Sequence, residues 1–300
     1  ETFLKTNLDG KYTLPKRAKN PFPCDYAPDE DVSPLLEPDV AKFYMQLIGI
    51  LRWMCELGRI DICTEVSMLS SYSAMPREGH LEATLHVFSF LKSKSNSRLI
   101  LDPMEPDVGK SDFVECDWRE FYAGATEAIP PNAPKPLGKG VTLRMFVDSD
   151  HAGDKVSRRS RTGFVIFLNH GMIDWLSKKQ STIEASVFGA EFSALRHGIE
   201  NLRGIRYKLR MMGVPVDKPS YVYGDNMSVV TNVSRPESTL KKKSNSICYH
   251  AVREAVAMGE ALVAHIPTKK NLADLFTKVL YGQNRRFLVN RMLWDVYPST

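Results

Sequence analysis

Long apolar runs, paired cysteines and a His/Cys metal-ligand set are all missing from this 300-residue sequence. No apolar stretch approaches the roughly 18 residues that span a bilayer, so no transmembrane helix is expected. The opening ETFLKTNLDG lacks the apolar core of a signal peptide and begins with Glu rather than Met, so a piece of a longer chain is expected. The five cysteines (Cys24, Cys55, Cys63, Cys116, Cys248) are odd in number, widely spread and without a C-x-x-C pair. They read as reduced thiols of an intracellular, cytoplasmic protein. There is no internal repeat and no low-complexity tract.

What remains is an ordinary globular composition, 43% hydrophobic and 25% charged, with length for two or three compact units. The charge is uneven. Residues 141–300 hold 24 Lys/Arg against 14 Asp/Glu, whereas residues 1–140 hold 16 against 21. The basic half implies a polyanionic partner.

Residues 1–38, rich in Pro, Asp and Lys, read as an extended arm. Phe43, Leu47, Ile50, Leu51 and Met54 then recur at helical spacing up to Gly58. A second apolar helix is expected over about 61–72. A third, over about 80–92, carries Leu81, Leu85, Phe88 and Leu91 on one face. Residues 39–126 therefore form a small helical module, although 102–126 follow no clear period. The stretch IPPNAPKPLGKG gives a linker over 127–140, stiff at its prolines and flexible at its glycines. From 141 to 300 the rhythm changes. VTLRMFVD, TGFVIFLNH and GMIDWLS read as three successive strands, with Trp175 as a core residue. A long helix over about 184–212 follows, then strand SYVYGD, helices near 227–233 and 246–259, strand ALVAHIP and a final helix in NLADLFTKVL. That order predicts a mixed five-stranded α/β sheet with helices on its faces.

Four acids in this half end strands or face the core: Asp148 in FVDSD, Glu191 in GAEFSAL, Asp225 in YGDNMS and Asp274 in NLADLFTK. Asp148 and Asp225 fall at carboxyl ends of strands, where open α/β sheets bind ligands, although an Asp there can equally start a turn. Glu191 lies within the stripe of Phe188, Leu195, Ile199 and Leu202, so its helix points the carboxylate inward. An unpaired buried carboxylate costs several kcal/mol and needs a cation, a raised pKa or a structural ion pair. Asp274 can be a first-turn acid of a helix capped by Asn271. Together the four suit hard, oxygen-seeking cations, Mg²⁺ first and Mn²⁺ second. Two such ions roughly 3.5–4 Å apart cleave phosphodiesters. No small-molecule cofactor is expected. Basic clusters at Arg158, Arg159, Arg161, Lys178 and Lys179, and at Lys241, Lys242 and Lys243, are either a solvated face or contacts to a nucleic-acid backbone.

These motifs resemble the ribonuclease H domain of a copia-type LTR retrotransposon polyprotein. The resemblance runs through DSDHAGD (148–154), RTGFVIFL (161–168), WLSKKQSTIEAS (175–186), AEFSAL (190–195), GDNMS (224–228), YHAVRE (249–254) and NLADLFTK (271–278). YMQLIGILRWM (44–54), RIDI (59–62) and HLEATLHVFSFLK (80–92) resemble the thumb- or connection-like segment that precedes that domain, so the likeness covers about residues 39–290. It implies a ribonuclease H-like fold over 141–300. It also implies a two-metal endonuclease acting on the RNA strand of RNA–DNA hybrids, leaving 3′-hydroxyl and 5′-phosphate ends, within a retroelement particle. The metal-binding acids of the family fall on Asp148, Glu191, Asp225 and Asp274. His250 matches a family position, and His265, nine residues before Asp274, is a candidate for a proton or product-release role. The polymerase fingers and palm, expected elsewhere in the same polyprotein, are missing, and no two Asp residues are adjacent. The sequence departs from the family at His151, where Trp is common, and at Gly189, where a second Glu is usual. It departs again at 243–246, where Lys-Ser-Asn-Ser replaces Lys-His-Ile-Asp. The competing readings are a non-catalytic connection module that grips the hybrid and an integrase-like nuclease of the same fold. The order Asp-Glu-Asp-Asp speaks against the integrase.

Overall fold

The computed structural model describes residues 14–15, 18–241, 243–294 and 296–297. They fall into two compact units, Glu1–Arg98 with Leu293–Thr300, and Leu99–Met292. Much of the expected N-terminal arm lies outside the described residues. The part described is irregular apart from a 3₁₀ turn at Pro28–Glu30 and a single antiparallel bridge of Leu35 to Arg77.

In the first unit, helix α1 (Pro38–Glu56) starts with proline at its first position and ends before Gly58, whose φ of 109° suits only glycine. Its buried side is Tyr44, Leu47, Ile48, Leu51 and Cys55. The expected stripe is therefore rotated, leaving Phe43, Ile50 and Met54 at its margin. Helices α2 (Cys63–Ser70) and α3 (Glu78–Ser93) complete the module. Leu81, Leu85, Phe88 and Leu91 are buried on α3 as the spacing predicts.

The second unit contains the expected sheet. Its strands are β1 (Leu143–Asp150), β2 (Arg161–Leu168), β3 (Gly171–Lys179), β4 (Ser220–Gly224) and β5 (Ala261–His265), in the order β3-β2-β1-β4-β5. The first three pair antiparallel, and β4 and β5 join in parallel. Helix α4 (Val187–Met211) is capped by the Ser186 hydroxyl, which accepts from the Gly189 N–H at 3.2 Å. It buries Phe192, Leu195, Ile199 and Leu202 against Met145 and Val147 of β1, while Phe188 is only half-buried. Helices α5 (Met227–Ser234) and α6 (Ser246–Ala257) share this face. Trp175, expected in the core, is half-buried because β3 is an edge strand. The final helix is shorter than its pattern implies. Helix α7 is the single turn Asp274–Thr277, and a separate α8 (Gly282–Asn290) follows, where no helix was expected.

Residues 99–140, expected as the end of the helical module and a linker, belong with the α/β unit. Phe113 packs edge-on against Tyr221 and Tyr223, with ring centres 5.0 and 5.3 Å away. Strand alternation puts those tyrosines on the sheet face opposite Val222, and Trp118 joins the core on the Val222 side. Trp118 also lies under the Arg253 guanidinium, 4.8 Å from its ring centre. Glu127 forms ion pairs with Arg206 and Arg210. Burial alone would raise its carboxyl, but the two guanidiniums outweigh it and hold the pKa at about 2. The proline-rich stretch is anchored in turn, with Leu137 and Val141 donating to the Gly213 and Pro215 carbonyls. Trp118→Ala should therefore cost the α/β unit about 3–5 kcal/mol in denaturant titration. A change under 1 kcal/mol would mean that this segment adds little to the core.

Candidate active site

Parallel pairing of β1 with β4 brings the ends of both strands to the same edge of the sheet, Asp148 near the end of β1 and Asp225 just after Gly224. Glu191, in the second turn of α4, reaches the same edge. One carboxylate oxygen from each of Asp148, Glu191 and Asp225 lies within 4.8 Å of the others. Asp148 is 1% exposed and Glu191 8%, while Asp225 is half-buried.

Asp274 reaches the cluster by a different route. Asn271 is fully buried, and its Nδ2 donates to the Val147 carbonyl at 2.9 Å while its Oδ1 accepts from the Ala273 N–H at 3.1 Å. It therefore ties the α7 turn to β1 one residue before Asp148. Gly163, opposite Asp148 in the β1–β2 register, allows the close approach. A Cβ there would fall 2.6 Å from Thr277 Cγ2 and 2.8 Å from Phe276 Cβ. Thr277 Oγ1 then donates to Asp148 Oδ2, and Lys278 Nζ sits 2.7 Å from Asp274 Oδ1 and 3.2 Å from Asp148 Oδ2.

The electrostatics follow from crowding. Burial, then the Asp148 and Asp225 charges, push Glu191 up to about 9. Burial and the Asp148 charge push Asp274 to about 6 and raise Asp225. Burial would depress the Lys278 ammonium, but Asp148 and Asp274 reverse this and hold it above its ordinary value. An all-oxygen donor set that cannot carry its full negative charge by itself is what a hard divalent cation fits. Asp148, Glu191 and Asp225 could hold one ion, and Asp148 with Asp274 could hold a second.

Thr277 and Lys278 carry no signal of their own in the sequence, although they stand in the same NLADLFTK motif that supplied Asp274, and Asn271 reads there only as a helix cap. Asp150 is not singled out in the sequence either. It accepts from the Arg161 N–H, and burial pushes it to about 6.

The basic candidates divide. Arg158, Arg159, Lys178, Lys241 and Lys243 are exposed, and Lys242 lies outside the described residues. Lys179 is paired with Asp154. Arg161, expected on the surface, is 5% exposed, because as the first residue of β2 it sits inside the sheet against Asp150. Lys241 lines a cleft of about 310 Å³ with Phe188, Ser228, Asn232 and Thr239. His250 is exposed on α6, and its Nδ1 lies 2.8 Å from the Tyr122 hydroxyl. His265 is half-buried and paired in register with Gly224, next to Asp225, which in turn is hydrogen-bonded by the Thr268 side chain.

The departures from the family pattern meet at one residue, Glu184. His151 Nε2 lies 3.1 Å from its carbonyl oxygen, and Asn245 Nδ2 donates to its Oε2 at 3.2 Å. That same Oε2 lies 2.6 Å from where a Cβ on Gly189 would be. Gly189 therefore leaves room for the Glu184 carboxylate beside the start of α4.

No family model matches the chain. It is 27% identical over 237 residues to the retrovirus-related Pol polyprotein from transposon RE1 of Arabidopsis thaliana, covering 79% of this chain and 14% of the relative. It is 26% identical over 237 residues to that from transposon TNT 1-94 of Nicotiana tabacum, covering 79% and 15%. The chain thus spans about a seventh of the length of the curated relatives it matches. Among solved structures, LC11-RNase H1 in complex with an RNA/DNA hybrid aligns at 18% identity and a TM-score of 0.37, covering 45% of this chain and 94% of that one. The fold class rests on this chain's own strand order and flanking helices, which are ribonuclease H-like. By sequence, the chain is a relative of the retrovirus-related Pol polyproteins of copia-type transposons over about four fifths of its length.

Proposed function

We propose that the α/β unit is a divalent-metal-dependent ribonuclease H, which hydrolyses the RNA strand of an RNA–DNA hybrid during reverse transcription of a retroelement. The observation that carries this reading is the meeting of oxygens from buried Asp148 and Glu191 and half-buried Asp225 within 4.8 Å at one sheet edge. When bound, Mg²⁺ or Mn²⁺ supplies Lewis acidity and a nucleophile for in-line displacement at phosphorus. The protein's part is to hold the acids in place. Asn271 and Gly163 dock Asp274 against Asp148, Ser186 caps the helix that carries Glu191, and the buried surroundings keep water from screening the cluster.

Exposed Arg158, Arg159, Lys178, Lys241 and Lys243 supply backbone contacts to the duplex, with Lys242 added by sequence. Choice of RNA over DNA comes from 2′-hydroxyl contacts across the minor groove. The polymerase fingers and palm of the same polyprotein are the natural partner, and a retroelement particle the natural setting. His265, beside Asp225, is the better placed of the two histidines for a proton or product-release role. A module that only grips the hybrid would have no use for four converging acids.

The test is to incubate the chain with Mg²⁺ and a labelled RNA–DNA hybrid, with RNA–RNA and DNA–DNA duplexes alongside. Cleavage of the hybrid's RNA strand alone, abolished by chelation, is expected. Binding without cleavage in either Mg²⁺ or Mn²⁺ would replace the nuclease with the gripping module.

A further inference from the structure

Lys278 is placed where a cation belongs. It follows the single turn of α7 with an extended backbone (φ −126°, ψ 141°), and its side chain turns back over the acids. Nζ lies 2.7 Å from Asp274 Oδ1 and 3.2 Å from Asp148 Oδ2, so one ammonium bridges two carboxylates from different elements. Asp148 Oδ2 also accepts from Thr277 Oγ1, which leaves it engaged by two donors. Both carboxylates are almost wholly buried, yet the lysine side chain is 37% exposed. The ammonium therefore sits at the mouth of the site, on a flexible four-carbon stem with a way out to solvent.

We propose that Lys278 is a resident counter-cation, occupying the Asp148 and Asp274 oxygens that a second divalent ion would need, so that loading this ion requires the ammonium to swing out. This rests on the metal-dependent reading above. The physical reason is simple. Two buried acids left without a cation are costly, so a tethered ammonium stabilises the ion-free chain. A divalent ion cannot share the same two oxygens with an ammonium about 3 Å away, because the cations repel strongly where water is excluded. The ion held among Asp148, Glu191 and Asp225 faces less of this competition, so loading is sequential and the second affinity is the weaker.

The experiment uses the full chain, no nucleic acid, and Mn²⁺ followed by electron paramagnetic resonance of the free ion. Wild type should take up one Mn²⁺ tightly and a second at least tenfold more weakly. Lys278→Gln should bind the second at least tenfold more tightly and melt lower without ions, with Mn²⁺ restoring the loss. Lys278→Arg, which keeps the charge, should stay close to wild type. If Lys278→Gln binds as wild type does, or if both take up only one ion, the counter-cation role is overturned while the metal site stands. If neither binds Mn²⁺ at all, the metal-dependent reading falls and this inference with it. Should Lys278→Gln fail to fold, the wild-type chain still decides. With ¹³Cε-labelled lysine, the Lys278 resonance, identified by its absence from the Lys278→Arg spectrum, must move as the second equivalent of Mg²⁺ is added. A stationary resonance overturns the proposal.

Discussion

Asp148→Asn and Asp225→Asn should each reduce Mg²⁺-dependent cleavage of an RNA–DNA hybrid by about three orders of magnitude or more while the chain stays folded. That loss is the kinetic equivalent of the several kcal/mol of transition-state stabilisation that bound metal ions supply. Asp148 is the more telling position, because its oxygens serve both ions in the proposed site. An asparagine there keeps an oxygen to accept from Thr277 Oγ1 and so preserves the contact between β1 and α7. Two opposing effects then act on stability. Lys278 loses one of its two carboxylates, but Glu191, Asp225 and Asp274 each lose a repulsive neighbour. The melting temperature should therefore move little. Turnover within tenfold of wild type by either folded variant would remove that residue from the metal set.

Glu191→Gln should abolish cleavage as well, yet make the ion-free chain more stable above pH 6, and this pairing separates a metal ligand from half of a structural ion pair. The sign follows from linkage. Glu191 has an ordinary value of 4.5 and a folded value near 9, so the folded state holds the proton more tightly than the unfolded state does. Its contribution is most favourable below pH 4.5, is lost as pH rises from there toward 9, and changes no further above 9. Asp274, raised to about 6, adds to this loss between roughly pH 4 and 6. Ion-free wild type should melt progressively lower across this range. Glu191→Gln should flatten the curve and melt roughly 5 °C or more higher at pH 8. Mg²⁺ should recover most of the loss in wild type and little in the variant. Melting curves from pH 5 to 9, with and without Mg²⁺, check this. A Glu191→Gln chain that melts lower at every pH, with activity falling only as folding does, would mark Glu191 as a structural partner.

Much of the α/β unit was legible because its signals are local. The short runs of β-branched, aromatic and other apolar residues over 143–150 and 161–168 and the stripe at Leu195, Ile199 and Leu202 depend only on neighbours a few residues away, and the structure contains those elements within a few residues of the expected limits. The three-acid cluster was legible for the same reason. A carboxylate at a strand end, or inside an apolar stripe, shows in the sequence which edge or face it will meet. Asp274 was ambiguous for a physical reason, since a first-turn acid after Asn271 reads equally well as an ordinary helix start.

What the tertiary structure decided is everything held by contacts over long sequence separations. Asn271 caps no long helix. Its amide reaches the Val147 carbonyl, and the pattern that promised ten helical residues yields one turn instead. The missing Cβ of Gly163 is what lets that turn close on β1. Residues 99–140 carry no periodicity, so only the packing of Phe113 and Trp118 and the pairing of Glu127 with Arg206 and Arg210 show which unit they belong to. Lys278 has no local feature that sets it apart from the chain's other lysines. Its position over Asp148 depends on two strands, a glycine and a buried asparagine meeting at one point, and local pattern cannot encode a site whose charges come from residues 130 positions apart in the chain.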